Sequence, residues 1–161
     1  KYGASCAGPY ESFQHIAIGT TAHEMAQAAL EKSKSVLEYS SAVMGMKADS
    51  DIEGKALDIV RSGETIKEVG NLIEAIKGRN EFRSEVPVWG IGDDGVLVKG
   101  VIDSLAVSGD KIHIIEYKTV FDDGKAQEEM SKKQLGIYAA LIKPIAGGRA
   151  IEKLPVMLKK T

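Results

Sequence analysis

The sequence predicts an α+β fold, helices first and then a small sheet, and three observations carry that prediction. Between Thr21 and Ile76 apolar residues recur at helical spacing behind two capping-box patterns, Thr21-x-x-Glu24 and Thr65-x-x-Glu68. From Phe82 to Thr119 the period changes to two, with turn-forming clusters between the runs. A polar loop, Phe121 to Gly124, then leads to one more helical run, ended by Pro144 and Gly147-Gly148. The expected order is helices, a three-stranded antiparallel meander, a helix and a further strand, sandwiched together.

Taken in order, residues 1–18, with Gly3, Gly8 and Pro9, read as irregular or as one short helical turn whose Tyr10 and Phe13 dock on the body. A helix is expected from Thr21 along AHEMAQAALEKSKSVLEY, placing His23 in its first turn on the same side as Ala26, Gln27 and Leu30. A loop around Lys47 to Asp51 precedes a helix through Ile52 to Arg61. Thr65 then opens a helix with the stripe Ile66, Val69, Leu72, Ile73 and Ile76, stopped by Gly78. Strands are expected at 82–88, 96–107 and 111–119, joined by the GIGDDG run at 90–95 and by Ser108-Gly109-Asp110. Trp89 reads as hydrophobic packing and Cys6 as a small buried hydrophobe. The last helix runs from about Ala126 to Lys143 with an inward line of Met130, Gln134, Tyr138 and Leu141, and Leu154 to Lys159 adds a strand.

Composition narrows the class. The 161 residues fit one domain, long enough to bury roughly 70% of the unfolded surface. With 43% apolar and 27% charged residues and no apolar run of membrane-spanning length, a soluble globular protein is expected, with no membrane partner. A net charge of −2 means that any polyanion site is a local patch. Cys6 is the one cysteine, which excludes an internal disulfide and a cysteine-only zinc or iron-sulfur site within one chain. A reducing, cytoplasmic setting fits. The chain opens at Lys1 without a secretory pattern, so its natural start is expected upstream.

The hairpin Lys99 to Thr119 concentrates the chemistry. Glu116 and Lys118 alternate onto one face of their strand, and Asp103 interrupts an otherwise apolar run where an isolated charge is costly. The economical reading is that Asp103 and Glu116 meet across the hairpin to hold a divalent cation beside Lys118. Two carboxylates and a backbone carbonyl, that of Tyr117, suffice for Mg²⁺; a nitrogen ligand from His23 makes Mn²⁺ a natural substitute. Such a cation activates water for phosphodiester hydrolysis. Lys118 either orients and deprotonates that water or stabilises the charge building on phosphorus. Each feature also has a plainer reading. Glu-x-Lys on a strand is commonly a solvated face, a histidine near a helix start a cap, and the glutamine and tyrosine an ordinary core contact; their joint occurrence favours a site.

Gly100-Val-Ile-Asp103, twelve residues, Glu116-Tyr-Lys118, with Gly19-Thr-Thr-Ala-His23 before and Gln134-x-x-x-Tyr138 after, resembles the RecB-like branch of the PD-(D/E)XK nuclease superfamily over about residues 19–140. The resemblance implies a restriction-endonuclease-like core: one nuclease domain over 1–161, with a helical part at about 19–80 and the core at about 82–161. It implies a Mg²⁺- or Mn²⁺-dependent deoxyribonuclease, an exonuclease of recombination, repair or phage DNA processing. An inactive DNA-end-binding module and a structure- or site-specific endonuclease are the alternatives. By the same likeness His23, Asp103 and Glu116 are metal ligands, Lys118 is the catalytic lysine, Gln134 and Tyr138 brace the site and touch DNA, and Glu85 matches an acidic position of the first core strand. DNA is the implied partner, with a second copy of the chain or a helicase as further candidates. Ile102 stands where the superfamily's name has proline. Relatives with an iron-sulfur cluster need four cysteines, so none is expected here.

Overall fold

The computed structural model describes residues 9–121 and 125–160. Four helices come first: α1 (Pro9–Glu31), α2 (Val36–Met44), α3 (Asp51–Val60) and α4 (Gly63–Ala75). Strands β1 (Glu81–Ile91), β2 (Leu97–Val107) and β3 (Lys111–Val120) follow, then α5 (Lys125–Ile142), a 3₁₀ turn at Lys143–Ile145, and β4 (Ala150–Lys159). The sheet order is β1-β2-β3-β4, antiparallel throughout except that β3 and β4 run parallel. A parallel pair cannot be joined by a tight turn, and α5 is the crossover that joins it. The two antiparallel connections are short: the Gly92 N–H donates to the Val96 carbonyl at 2.9 Å, with Gly95 at φ 79, and the Ser108 N–H donates to the Lys111 carbonyl at 2.9 Å.

The sheet is covered on both faces. Ala106, Ile115, Tyr117, Val156 and Leu158 pack with α1 to α4, around Ala22, Ala26, Leu30, Tyr39 and Val69. Ile102, Ile112 and Ile114 pack against Leu135, Tyr138 and Ile142 of α5. Burying such aliphatic side chains stabilises the domain by about 1.5–3 kcal/mol each, which holds the sheet between its helices.

Several helix boundaries differ from expectation because serine and threonine serve more than one purpose. α1 is already helical from Pro9, and the Thr21 hydroxyl donates back to the Ala17 carbonyl at 2.8 Å instead of capping. His23 is therefore a mid-helix residue. The helix ends at Glu31, and Ser35 caps a new one: the Glu38 N–H donates to Ser35 Oγ at 3.1 Å while Glu38 Oε1 accepts the Lys34 N–H at 2.7 Å. Ser50 and Glu53 repeat that exchange at α3. α4 starts from Ser62, and Thr65 inside its first turn clasps Lys159, donating to its carbonyl at 3.1 Å and accepting its N–H at 2.9 Å. That clasp fixes the end of β4 against the helical layer.

Three expected burials fail. Phe13 is 71% exposed and Trp89 66% exposed, so neither is a packing residue. The inward line of α5 is Ser131, Leu135, Tyr138 and Ile142; Met130 is 60% exposed and Gln134 half-buried. The polar Gln134 lies at the margin of the stripe, not in its middle. Cys6 and the docking of Tyr10 lie outside what the structure describes.

Candidate active site

Strands β1 and β2 change faces in step. Phe82 and Ala106 join the core on the α1 side, whereas Val86, Val88 and Ile102, each an even number of residues away, join the core under α5. In an uninterrupted strand such residues share one face. The break falls at Glu85 and Asp103, which stand opposite each other between the pairs Ser84–Ser104 and Val86–Ile102. Glu85 has φ 53 and is the only non-glycine residue with positive φ among the described residues. On the other side, β2 and β3 pair only from Val107–Ile112 to Ser104–Ile115. Asp103 and Glu116 come next in line, where the strands part, so Glu85, Asp103 and Glu116 occupy one row across three strands.

At the parting, Asp103 Oδ2 accepts the Tyr117 backbone N–H at 3.0 Å. His23 reaches down from α1, its Nε2 3.5 Å from the same Oδ2 and 3.1 Å from Gln27 Oε1, with its ring tilted against that of Tyr117 at 5.0 Å. Glu85 completes the group: one ligand atom from each of His23, Glu85 and Asp103 lies within 4.8 Å of the others. Glu116 is not part of that group. It is buried on the α5 side, where Oε2 accepts the Ser131 hydroxyl at 2.9 Å and Oε1 stands 3.9 Å from Lys118 Nζ. Gln134 Nε2 donates to the Tyr138 hydroxyl at 2.7 Å. The Tyr138 ring in turn lies on Gly100, where a Cβ would fall 2.5 Å from Cε1. Among the described residues, neither Gln134 nor Tyr138 hydrogen-bonds a carboxylate of the row; they brace α5 against β2.

Electrostatically the site is under-compensated. Burial pushes the Asp103 carboxyl above the usual carboxylate range, and the neighbouring Glu85 adds to it, against His23, the Tyr117 N–H and Lys118. Glu116 is raised as well, by burial first and by Asp103, with Lys118 and the Ser131 hydroxyl opposing. Burial also raises the Tyr117 phenol, whose hydroxyl is 3.1 Å from Ser104 Oγ. The half-buried Asp103 and the buried Glu116, each resisting ionisation alone, are relieved by a cation. The donor set, two carboxylates and an imidazole, fits a hard divalent ion, Mg²⁺ or Mn²⁺. For His23 to ligate through Nε2, its proton must sit on Nδ1.

A family profile, that of the PD-(D/E)XK nuclease superfamily, matches residues 2–157. The chain belongs to that superfamily. Comparison with curated proteins gives no match. In this PD-(D/E)XK chain the mixed four-stranded sheet between helices is the superfamily's core, and the acidic row lies where its two central strands separate. Two residues beside the row escaped the sequence reading. Gln27 bonds His23 from one turn on, a spacing visible in the sequence. Ser131 bonds Glu116 from the far layer, and its signal was only a serine in phase with Leu135, Tyr138 and Ile142. For Glu85 the sequence supplied the acid; nothing in it announced the left-handed backbone.

Proposed function

We propose that this PD-(D/E)XK protein is a Mg²⁺- or Mn²⁺-dependent deoxyribonuclease of the RecB-like branch, acting as an exonuclease on DNA ends. The observation that carries the reading is the convergence of His23, Glu85 and Asp103 within 4.8 Å at the mouth of the parted hairpin. Asp103 and His23 would hold the cation with Glu85 beside them, and Glu116 and the Tyr117 carbonyl would be the groups that β3 offers to it. In a strand the N–H and C=O of one residue point to the same neighbour, so the Tyr117 carbonyl faces the gap its N–H spans to Asp103. The bound ion supplies Lewis acidity and a water of lowered pKa.

The protein's own groups do the rest. Lys118, 3.9 Å from Glu116 and part-exposed, orients the attacking water and offsets charge on the phosphate. Glu116, pinned by Ser131, fixes where that ammonium points. Gln27 Oε1 accepts from the same Nε2 while that nitrogen carries the ring proton, so ligation through Nε2 would take the place of this bond and move the proton to Nδ1.

Incubation of the purified protein with linear and with covalently closed circular DNA in Mn²⁺ tests the reading. Degradation of the linear form alone is expected, with loss of more than about 100-fold in rate in Asp103→Ala and Lys118→Ala. Cleavage of the circle marks an endonuclease. Metal-independent binding without turnover marks an inactive end-binding module, and undiminished cutting by the two variants sinks the assignment of the site.

A further inference from the structure

His15 and Phe121 stack flat on one another beside the site, ring centroids 4.2 Å apart and planes within 8°. Both rings are exposed, Phe121 by 42%. Flat pairing of two exposed rings leaves apolar faces in water that none of the described residues covers, so packing among them does not account for it. The pair forms a ridge between two depressions. The nearer, of about 360 Å³, is bounded by His23, Lys118 and Thr119. The farther, of about 380 Å³, is bounded by Lys55, Lys159 and Lys160, with Asp58 the acid among the described residues that line it.

The charges on either flank of His23 are opposite. Away from the ridge a third depression is lined by Glu24, Glu31 and Glu85, with no lysine or arginine among the described residues of its lining. A polyanion crossing the site is repelled there and drawn across the ridge to the lysines. Lys55 and Lys159 contact Asp51 at 3.2 Å and Glu64 at 3.0 Å, but exposed pairs of this kind contribute little and turn readily to a phosphate. Alternating aromatic faces and lysines is the arrangement that holds unpaired nucleotides, since a base within a duplex has both faces already stacked.

We propose that the His15–Phe121 pair is a base-stacking subsite for single-stranded DNA, with Lys159 and Lys160 taking the phosphates beyond it. The proposal takes its ligand from the nuclease reading, and it is tested by binding so that the two can fail separately. 2-Aminopurine is scanned through a single-stranded oligonucleotide, with Ca²⁺ replacing Mg²⁺ so that binding is followed without turnover. One position is expected to be quenched in the wild type and relieved in His15→Ala and Phe121→Leu, with affinity about ten-fold weaker in each. Phe121→Trp retains the quenching, blunt duplex binding changes less than about two-fold, and Lys160→Glu flattens the salt dependence. Melting temperatures equal to wild type exclude loss of fold as the cause. Unchanged quenching and affinity in both ring variants overturn the subsite, as does an equal loss for duplex. A wild type that binds with quenching but never cuts overturns the nuclease reading alone.

Discussion

The Tyr117 backbone N–H, two positions past the last rung that β2 and β3 share, donates to the side chain of Asp103, one position past it on β2, 3.0 Å away. A carboxylate thus takes the place of a ladder carbonyl, and the strands can part without leaving that N–H orphaned. The Asp103 carboxylate is held by the same bond that ends the hairpin.

That placement makes the site a cost to the metal-free fold. Asp103 and Glu116 both have carboxyls raised above their unfolded values by burial, so the folded state favours their neutral forms. The stability they contribute is complete below the unfolded pKa, about 4, and is lost as pH rises through the folded values. In a chelator the wild type is expected to lose stability over that window relative to Asp103→Asn/Glu116→Gln, and Mn²⁺ to restore it to the wild type only. Melting curves across pH check this; parallel profiles for the two proteins in chelator contradict it.

Glu85 separates backbone strain from ligand chemistry. A non-glycine residue in the left-handed region costs about 1–2 kcal/mol, and glycine returns part of that in added chain entropy. Glu85→Gly should therefore raise the stability of the metal-free protein by about 1 kcal/mol, a gain of roughly 2–4 °C in Tm. Glu85→Gln removes the same charge beside Asp103 but keeps the strained backbone, so its gain should be smaller than that of Glu85→Gly. Both should weaken Mn²⁺ binding measured by calorimetry, and equal Tm for the two variants would show that the turn is unstrained.

The Ser131 hydroxyl on Glu116 holds that carboxyl down against the burial that raises it. Its removal in Ser131→Ala raises the Glu116 pKa further, moves the acidic limb of the pH–rate profile to higher pH and destabilises the fold by about 1.5–3 kcal/mol. Ser131→Thr, which keeps the donor, should restore the limb. A profile that does not move in Ser131→Ala refutes the coupling.

Gly100 sets the distance between α5 and β2. An alanine there places Cβ 2.5 Å from the Tyr138 ring, and displacing that ring costs about 1–3 kcal/mol. Urea denaturation of Gly100→Ala, Tyr138→Leu and the double variant should show strong coupling, the second substitution removing most of the penalty of the first. Additive effects would mean that the helix adjusts freely.

Most of the sheet was legible in the sequence, because strand period and hairpin turns are local signals. Asp103, Glu116 and Lys118 announced themselves by breaking an apolar run or sharing its polar face. What was hidden depended on distant partners. Thr21 and Glu24 have the spacing of a helix cap, yet whether Thr21 caps or bonds back to Ala17 is decided by the ten or so helical residues before it. Alternation alone put Asp103 and Glu116 together as a pair. The face change at Glu85 instead gathers Asp103 with His23 and Glu85 and leaves Glu116 to the α5 side, and no period-two pattern encodes a single residue of positive φ.

The two short connections, Gly92 to Val96 and Ser108 to Lys111, contain no site residue, yet they count out the spacing of three acids that never touch in sequence. One residue added to either would slide a whole strand past its neighbour and send its acid to the opposite side of the sheet. In this protein the ruler for the acidic row is the length of two loops that lie away from it.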